Sequence, residues 1–362
     1  MTRPTLDQHH LTMSLSTFVS TLTPRSARRT LPAVALFCLM TPSAGFAESV
    51  KTMPPGPRPL PVKLGVYLID FEKIDELTLT QTIVGYMMLT WHDPRLAKGL
   101  APELDRASVS LDDIWNPDVE IINQHTPRSV SNWVITIQDD GTVVYEERFT
   151  AELSSDFDLR RFPFDRQRLH LKIESFRYDD SEMQFVTRAM TILMNPAAFL
   201  PDWIIDGVSE HFRAETANPD ARPYSQYVYQ IEVTRRRGYY FWNVFLPLAF
   251  ITMLAWSVFF IAPEDVSTRT TIAITALLTA IAFSLVVSGT RPRVSYLTYM
   301  DALFLNAYFL IFVATAAVIG AHHLIRRTGR EDKAEWLSKV GRYSFPVLTV
   351  VTNILLFLVF IR

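Results

Sequence analysis

The sequence predicts a β-sandwich followed by a four-helix transmembrane bundle, and three observations predict it. Residues 238–263, 270–290, 302–321 and 343–361 carry no charged side chain. Between 48 and 237 the chain instead runs in short alternating segments broken by turn residues. Ahead of both lies an apolar run, 31–40, flanked by Arg25, Arg28 and Arg29 on one side and by small residues on the other. Whole-chain totals hide this division: the 362 residues are 49% hydrophobic and 20% charged, with 35 Lys+Arg against 37 Asp+Glu. That balance offers no basic excess for nucleic acid.

The run 31–40, with its basic flank and the small residues up to Ala47, reads as a secretory signal peptide, so 1–47 is expected to be removed. Met13 is an alternative start. Cys38 is the single cysteine in the sequence and would leave with the leader, so the exported domain is expected to hold together without disulfides.

In the domain 48–237, alternating runs cover 62–69, 79–91, 133–137, 142–149, 169–175 and 227–233. Turn signals separate them: Asp139-Asp140-Gly141, Asn195-Pro196, Asn218-Pro219 and Arg222-Pro223. Short strands without helical periods predict an antiparallel, immunoglobulin-like sandwich. Pro54, Pro55, Pro57, Pro59 and Pro61 read as an extended lead-in rather than a strand.

The segment 238–362 is expected to hold spans at 239–262, 269–290, 298–325 and 343–361, each near the roughly 20 residues a helix needs to cross a bilayer. Pro247 and Pro346 inside two of them are tolerated in membrane helices. A cleaved leader and four spans put both mature termini outside. The connection 322–342 is then cytoplasmic, and its Arg326, Arg327, Arg330, Lys333, Lys339 and Arg342 outnumber Glu331, Asp332 and Glu335, as the positive-inside rule requires.

Enzyme chemistry is not suggested. The chain has no His-Glu-x-x-His, no P-loop and no Gly-x-Ser-x-Gly elbow, and the pair His322-His323 at a helix end reads as interfacial. No metal and no cofactor is expected. Three other clusters stand out: Ile114-Trp115-Asn116-Pro117-Asp118; the stretch 158–167 around Phe162-Pro163-Phe164-Asp165; and Arg235-Arg236-Arg237 directly before the first span.

In this order, ahead of four spans, these clusters resemble the pentameric ligand-gated ion channels, the Cys-loop receptor superfamily. The resemblance runs from Pro61 to Ile361, and Trp91-His92-Asp93 matches a strand-end signature of that family. Animal members close the proline loop with two cysteines, whereas the matching positions here are Ser155 and Leu169. With the short third-to-fourth connection, that departure resembles the prokaryotic branch, which includes proton-gated members. The resemblance implies a homo-oligomer, a homopentamer, set in the lipid of a bacterial inner membrane with its sandwich and C-terminus on the periplasmic side. It further implies passage of monovalent ions on binding of a small-molecule agonist or protons.

Thr271, Thr275, Leu278, Ala282, Leu285 and Gly289 recur at steps of four and three and share one helix face. Spacing alone fits either a pore wall or a small-residue packing seam; the resemblance implies the pore. Glu264 and Asp265 would place acids at the inner mouth and predict cation selectivity. Ser267-Thr268-Arg269 meets neither the cation-selective nor the anion-selective pattern of relatives, so an anion channel stays open as an alternative. So does a non-conducting, membrane-anchored periplasmic sensor.

For coupling, the resemblance implies that Arg235 sits between Asp165 and Glu76, next to Phe162, Pro163 and Phe164, with Arg236 or Arg237 as alternatives. Pro292 would stiffen the linker 291–296. For the ligand it implies Tyr86 on one side of a subunit interface, Phe176 and Tyr178 on the other, and Tyr224 and Tyr227 from the hairpin around Asn218-Pro219. Such rings suit a cationic amine, whereas Arg177 suits a carboxylate. An acid and a pore histidine of proton-gated relatives fall on Leu79 and Ala280, which leaves Asp75 and Glu76 as proton-responsive candidates.

Overall fold

The computed structural model describes residues 50–361, apart from 102–103, 191–192, 217–221 and 292. The expected signal peptide 1–47, the expected turn Asn218-Pro219 and Pro292 therefore lie outside the described residues. The alternating runs form two sheets. One, in the order β4-β5-β2-β1-β7, is built from β1 (Leu60–Asp75), β2 (Thr80–His92), β4 (Ser129–Ile137), β5 (Thr142–Ser154) and β7 (Met183–Thr187). The other, β3-β6-β9-β8, is built from β3 (Val119–Ile121), β6 (Arg166–Ser175), β8 (Trp203–Glu215) and β9 (Tyr224–Arg235). Alternation decides which side chains go inward: Val143, Tyr145, Phe149, Ala151 and Leu153 of β5 face Leu169, Leu171 and Ile173 of β6 and Tyr227, Tyr229, Ile231 and Val233 of β9 in one core. Trp91 and Trp115 meet edge to face there, 5.9 Å apart.

The expectation of a purely antiparallel sandwich is corrected at one edge, where β1 pairs with β7 in parallel. Pro61 is also not a lead-in residue but the second residue of β1, tolerated near a strand start. The thirteen-residue β8 was not expected as a strand. It is an edge strand with a register shift between Ile205 and Gly207, so its inward-outward alternation is broken and its sequence reads as polar loop.

Four helices long and apolar enough to cross a membrane follow: α1 (Gly238–Phe260), α2 (Val266–Ser288), α3 (Tyr299–Thr328) and α4 (Glu331–Ile361). Pro247 in α1 lacks a backbone N–H, and the turn just before it, Phe241–Phe245, widens to π geometry. Pro346 in α4 frees the carbonyl of Arg342 one turn earlier, and Trp256 Nε1 donates to it at 3.0 Å. Asp265 caps α2 through the Thr268 N–H, and Thr298 and Asp301 form a reciprocal capping box on α3.

The expected connection 322–342 is corrected: it is helix on both sides of a break at 329–330, where Gly329 adopts φ 62°. The fourth helix thus starts at Glu331 rather than 343. Charges end the part of a helix that lipid accepts, but not the helix. Here Glu335 and Lys339 pair one turn apart at 3.1 Å, while Ala334, Ser338, Gly341 and Phe345 form a buried stripe.

Candidate functional site

At the end of β9 the Arg235 side chain enters a closed nest between the sandwich and the helices; the residue is 2% exposed. Its Nε and Nη2 donate to the two oxygens of Asp165 at 2.7 and 3.0 Å, and Nη1 donates to Glu76. The guanidinium lies 4.1 Å from the Trp203 ring, 4.6 Å from Phe162 and 5.8 Å from Tyr240. Arg236 instead donates to the Trp203 carbonyl, and Arg237 stands over Phe164. Burial works against the charge on Arg235, but Asp165 and Glu76 outweigh it and raise its pKa. Burial raises the pKa of Glu76 despite the attraction of Arg235.

The loop carrying Asp165 is shaped from within: Gln167 donates to the Asp158 carbonyl at 2.8 Å and to Asp165 at 2.6 Å. Pro163 thereby presents its two flanking rings to different helices. Phe162 meets Tyr240 of α1 at 4.9 Å, and Phe164 contacts Phe245 of α1, Tyr299 of α3 and Phe357 of α4. The same loop grips the α2–α3 linker: the Leu159 N–H donates to the Tyr296 hydroxyl at 3.0 Å, and the Tyr299 N–H donates to the Arg160 carbonyl at 2.8 Å.

Thr271, Thr275, Leu278, Ala282, Leu285 and Gly289 are all exposed on one face of α2, with Leu278 61% and Leu285 69% exposed. The buried face, Arg269, Ala273, Ala276, Ala280 and Val287, lies on the opposite side at roughly 100° per residue. The small-residue seam is therefore a real feature of α2, but it is made by the alanines. Arg269 folds inward, donating to the Val258 carbonyl at 2.8 Å and to Ser338 Oγ at 3.0 Å. Arg291, past the C-terminal end of α2, is likewise held within the chain by Thr298 and Asp301. Glu264 and Asp265 are exposed just before the N-terminal end of α2.

The Trp115 cluster works as an anchor for the aromatic set. Asn116 accepts from the Asp118 N–H at 2.9 Å, closing the turn, and the Asp118 carbonyl then accepts from the Phe176 N–H at 2.8 Å. Ser175 Oγ donates to the Pro117 carbonyl at 2.7 Å. Phe176 ends up 68% exposed, Arg177 meets Asp118 at 3.5 Å, and Tyr178 leans on Trp115. Tyr86 is exposed on β2 in the other sheet.

Two expectations about the aromatic set are corrected. Tyr227 shares the inward parity of Tyr229 and Ile231, so it is sealed in the core, its hydroxyl donating to Glu210 at 2.6 Å. Tyr224 is also buried, with the Arg222 guanidinium over its ring. Among the six expected ligand residues, Tyr86, Phe176 and Arg177 are the ones open to solvent.

One carboxylate in this region escaped the sequence reading. Glu174 is buried at the end of β6, accepts from Gln226 Nε2 and stands directly opposite Glu120 of β3. Arg213 donates to the other side of Gln226 at 2.8 Å, completing a polar row across the sheet. Burial raises the pKa of Glu174, the Gln226 bond partly offsets this, and Glu215 and Glu120 add to the rise. A glutamate in an alternating run carries no sign of burial. Arg291 was also missed as a partner of Asp301, although the Thr298-x-x-Asp301 box was legible. Among the described residues no cluster of His, Cys, Asp and Glu could hold a metal ion.

Comparison with known proteins matches both parts. Residues 44–237 match the profile of the neurotransmitter-gated ion-channel ligand binding domain, and 244–357 that of the neurotransmitter-gated ion-channel transmembrane region. A proton-gated ion channel of Gloeobacter violaceus is 29% identical over 313 residues, covering 85% of this chain and 86% of its own. A gamma-aminobutyric acid receptor subunit beta-like protein of Drosophila melanogaster is 28% identical over 276 residues, 72% of this chain. The gamma-aminobutyric acid receptor subunit beta-4 of Gallus gallus is 24% identical over 294 residues, 79% of this chain. The chain spans 55% and 60% of those two longer subunits.

Proposed function

Because this chain belongs to the neurotransmitter-gated ion-channel family, and is thus a multi-pass ligand-gated ion channel rather than an enzyme, we propose that a homopentamer of it conducts monovalent cations across a bacterial inner membrane when a small ammonium-bearing ligand binds its periplasmic sandwich. α2 lines the pore in this reading, with Leu278 and Leu285 as apolar rings and Glu264 and Asp265 at the inner mouth. Loop 158–165 and Arg235 carry the motion of the sandwich to the helices.

The observation that carries the ligand class is the acidic row at the end of β6, two residues before the exposed Phe176. Glu174 faces Glu120 across the strands and lies in the fields of Glu215 and of Arg213, which pair at 3.2 Å, so three acids share one resident cation. A cation relieves that repulsion, whereas a carboxylate ligand would add to it. Arg177, the residue that would suit a carboxylate, already faces Asp118. The names of the relatives fit either an amine-containing transmitter or protons.

A second reading, proton gating, is favoured by Glu76: its burial-raised carboxyl grips Arg235, and protonation would loosen that grip. Recordings from reconstituted protein separate the two. Acid steps, propylamine, γ-aminobutyrate and acetate are applied in turn. We expect opening by the two amines and none by acetate. Glu174→Gln should raise the amine midpoint by about tenfold to a hundredfold, the value of a charged hydrogen-bond partner. Silence to every amine with opening by acid would replace the ammonium reading with the proton one.

A further inference from the structure

Arg291 follows the outer end of the pore helix, where an arginine would ordinarily point to water. Its side chain is instead 7% exposed. Nη1 donates to Thr298 Oγ1 at 2.9 Å and Nη2 to Asp301 Oδ1 at 2.6 Å. Asp301 is held in turn, its other oxygen accepting from the Thr298 N–H at 3.1 Å and from the Thr298 hydroxyl at 2.6 Å. The guanidinium is therefore fixed to the first turn of α3. Its remaining contact crosses to the sandwich: its central carbon lies 5.6 Å from the centre of the Phe162 ring. The guanidinium of Arg235 lies 4.6 Å from that same ring. One aromatic side chain thus touches both the arginine that ends the sandwich and the arginine that ends the pore helix.

We propose that Arg291 is a positioning residue for gating: it ties the outer end of α2 to Phe162, so that movement of loop 158–165 reaches the pore wall through side chains as well as through the linker backbone. The physical basis is specific to a guanidinium. It can hold a carboxylate in its plane while offering a flat cationic face to a ring, which an ammonium cannot do. The pairing with Asp301 also removes Arg291 from the list of charges that act on ions at the outer mouth. A role in coupling and a role in permeation therefore predict different measurements. The proposal rests on the channel reading but not on the ammonium ligand.

Planar-bilayer recordings of the purified full-length protein test it. An acid step, γ-aminobutyrate and spontaneous opening in a Leu278→Thr background are separate routes to the open state, so failure of the ammonium reading leaves the measurement intact. Arg291→Gln should shift the activation midpoint, or lower the spontaneous open probability, by about tenfold with unitary conductance unchanged, the size of a typical coupling. Phe162→Leu should act in the same direction. The double variant should fall clearly short of the sum of the two singles, because the Arg291–Phe162 contact they share is lost only once. Arg291→Lys should fall between wild type and Arg291→Gln, and it carries the test if the glutamine variant does not assemble. Unshifted midpoints, or strictly additive shifts in the double variant, overturn the proposal. A changed unitary conductance at an unshifted midpoint assigns Arg291 to the field of the outer mouth instead.

Discussion

Glu174 and Arg235 are both buried charges, and their surroundings treat them in opposite ways. Arg235 has two carboxylates and three aromatic rings around it, so its charge is stabilised where it stands. For Glu174 the loss of water on burial disfavours the charge most, Glu215 and Glu120 add to this, and the Gln226 amide and Arg213 offset it only in part. This sets a direction for stability. A carboxyl whose folded pKa lies above its unfolded one binds its proton more tightly in the folded chain. Its contribution is therefore fully present below the unfolded pKa and is lost as pH rises through the folded pKa. Glu174→Gln keeps an acceptor for Gln226 and removes the titration. Its melting temperature should gain on wild type as pH is raised from acid to neutral. A difference between the two proteins that stays constant with pH would show that Glu174 titrates normally. The nest of Arg235 was expected from the family resemblance, but the burial of Glu174 was not legible, because alternation assigns a face and not the neighbours that cover it.

At the scale of single elements, α2 was the easier case and α4 the harder. The spacing of Thr271 to Gly289 defines a face with no help from the fold, and within the chain that face is left uncovered. The small-residue seam within the chain lies on the other side, made by Ala273, Ala276 and Ala280. The uncovered leucines carry the prediction that belongs to this element. Leu278→Thr makes one apolar ring wettable, so resting leak or agonist sensitivity should rise. An unchanged leak and an unchanged activation curve would return Leu278 to ordinary subunit packing. For α4 the charges between 331 and 342 looked like a boundary. They instead decorate a helix whose inner stripe is so tight at Gly341 that a Cβ there would overlap the Phe259 ring. Hydropathy reports where lipid ends, and packing reports where the helix ends.

For the whole molecule the selectivity of the pore is the measurement of most consequence. Arg269 and Arg291 sit at the two ends of α2, and each is bound within its own chain. Glu264 and Asp265 are exposed directly before α2, opposite the exposed Glu335–Lys339 pair of α4 beside Ser338, and the hydrogen bonds from Thr268 hold the Asp265 pKa below its ordinary value. Repeated around a symmetric ring, such acids concentrate cations and repel anions. In a sodium chloride gradient the reversal potential should lie near that of sodium, and Glu264→Gln with Asp265→Asn should move it toward zero. A reversal potential near that of chloride ends the cation reading; an unmoved one in the double variant acquits the two acids.

The sequence by itself determined the division into sandwich and spans, because charge-free runs and strand alternation are local consequences of solvent and backbone geometry. It also carried the cluster around Phe162-Pro163-Phe164-Asp165 and the spacing of Thr271 to Gly289 along one face of α2, both of which are short-range patterns. Only the tertiary structure decided which of Arg235, Arg236 and Arg237 enters the nest of Asp165 and Glu76, since three adjacent arginines differ only in what surrounds them. It likewise decided that Tyr227 is core while Phe176 is open, and that Arg291 reaches Phe162. Those outcomes depend on contacts between residues far apart in the chain, and no local period encodes them.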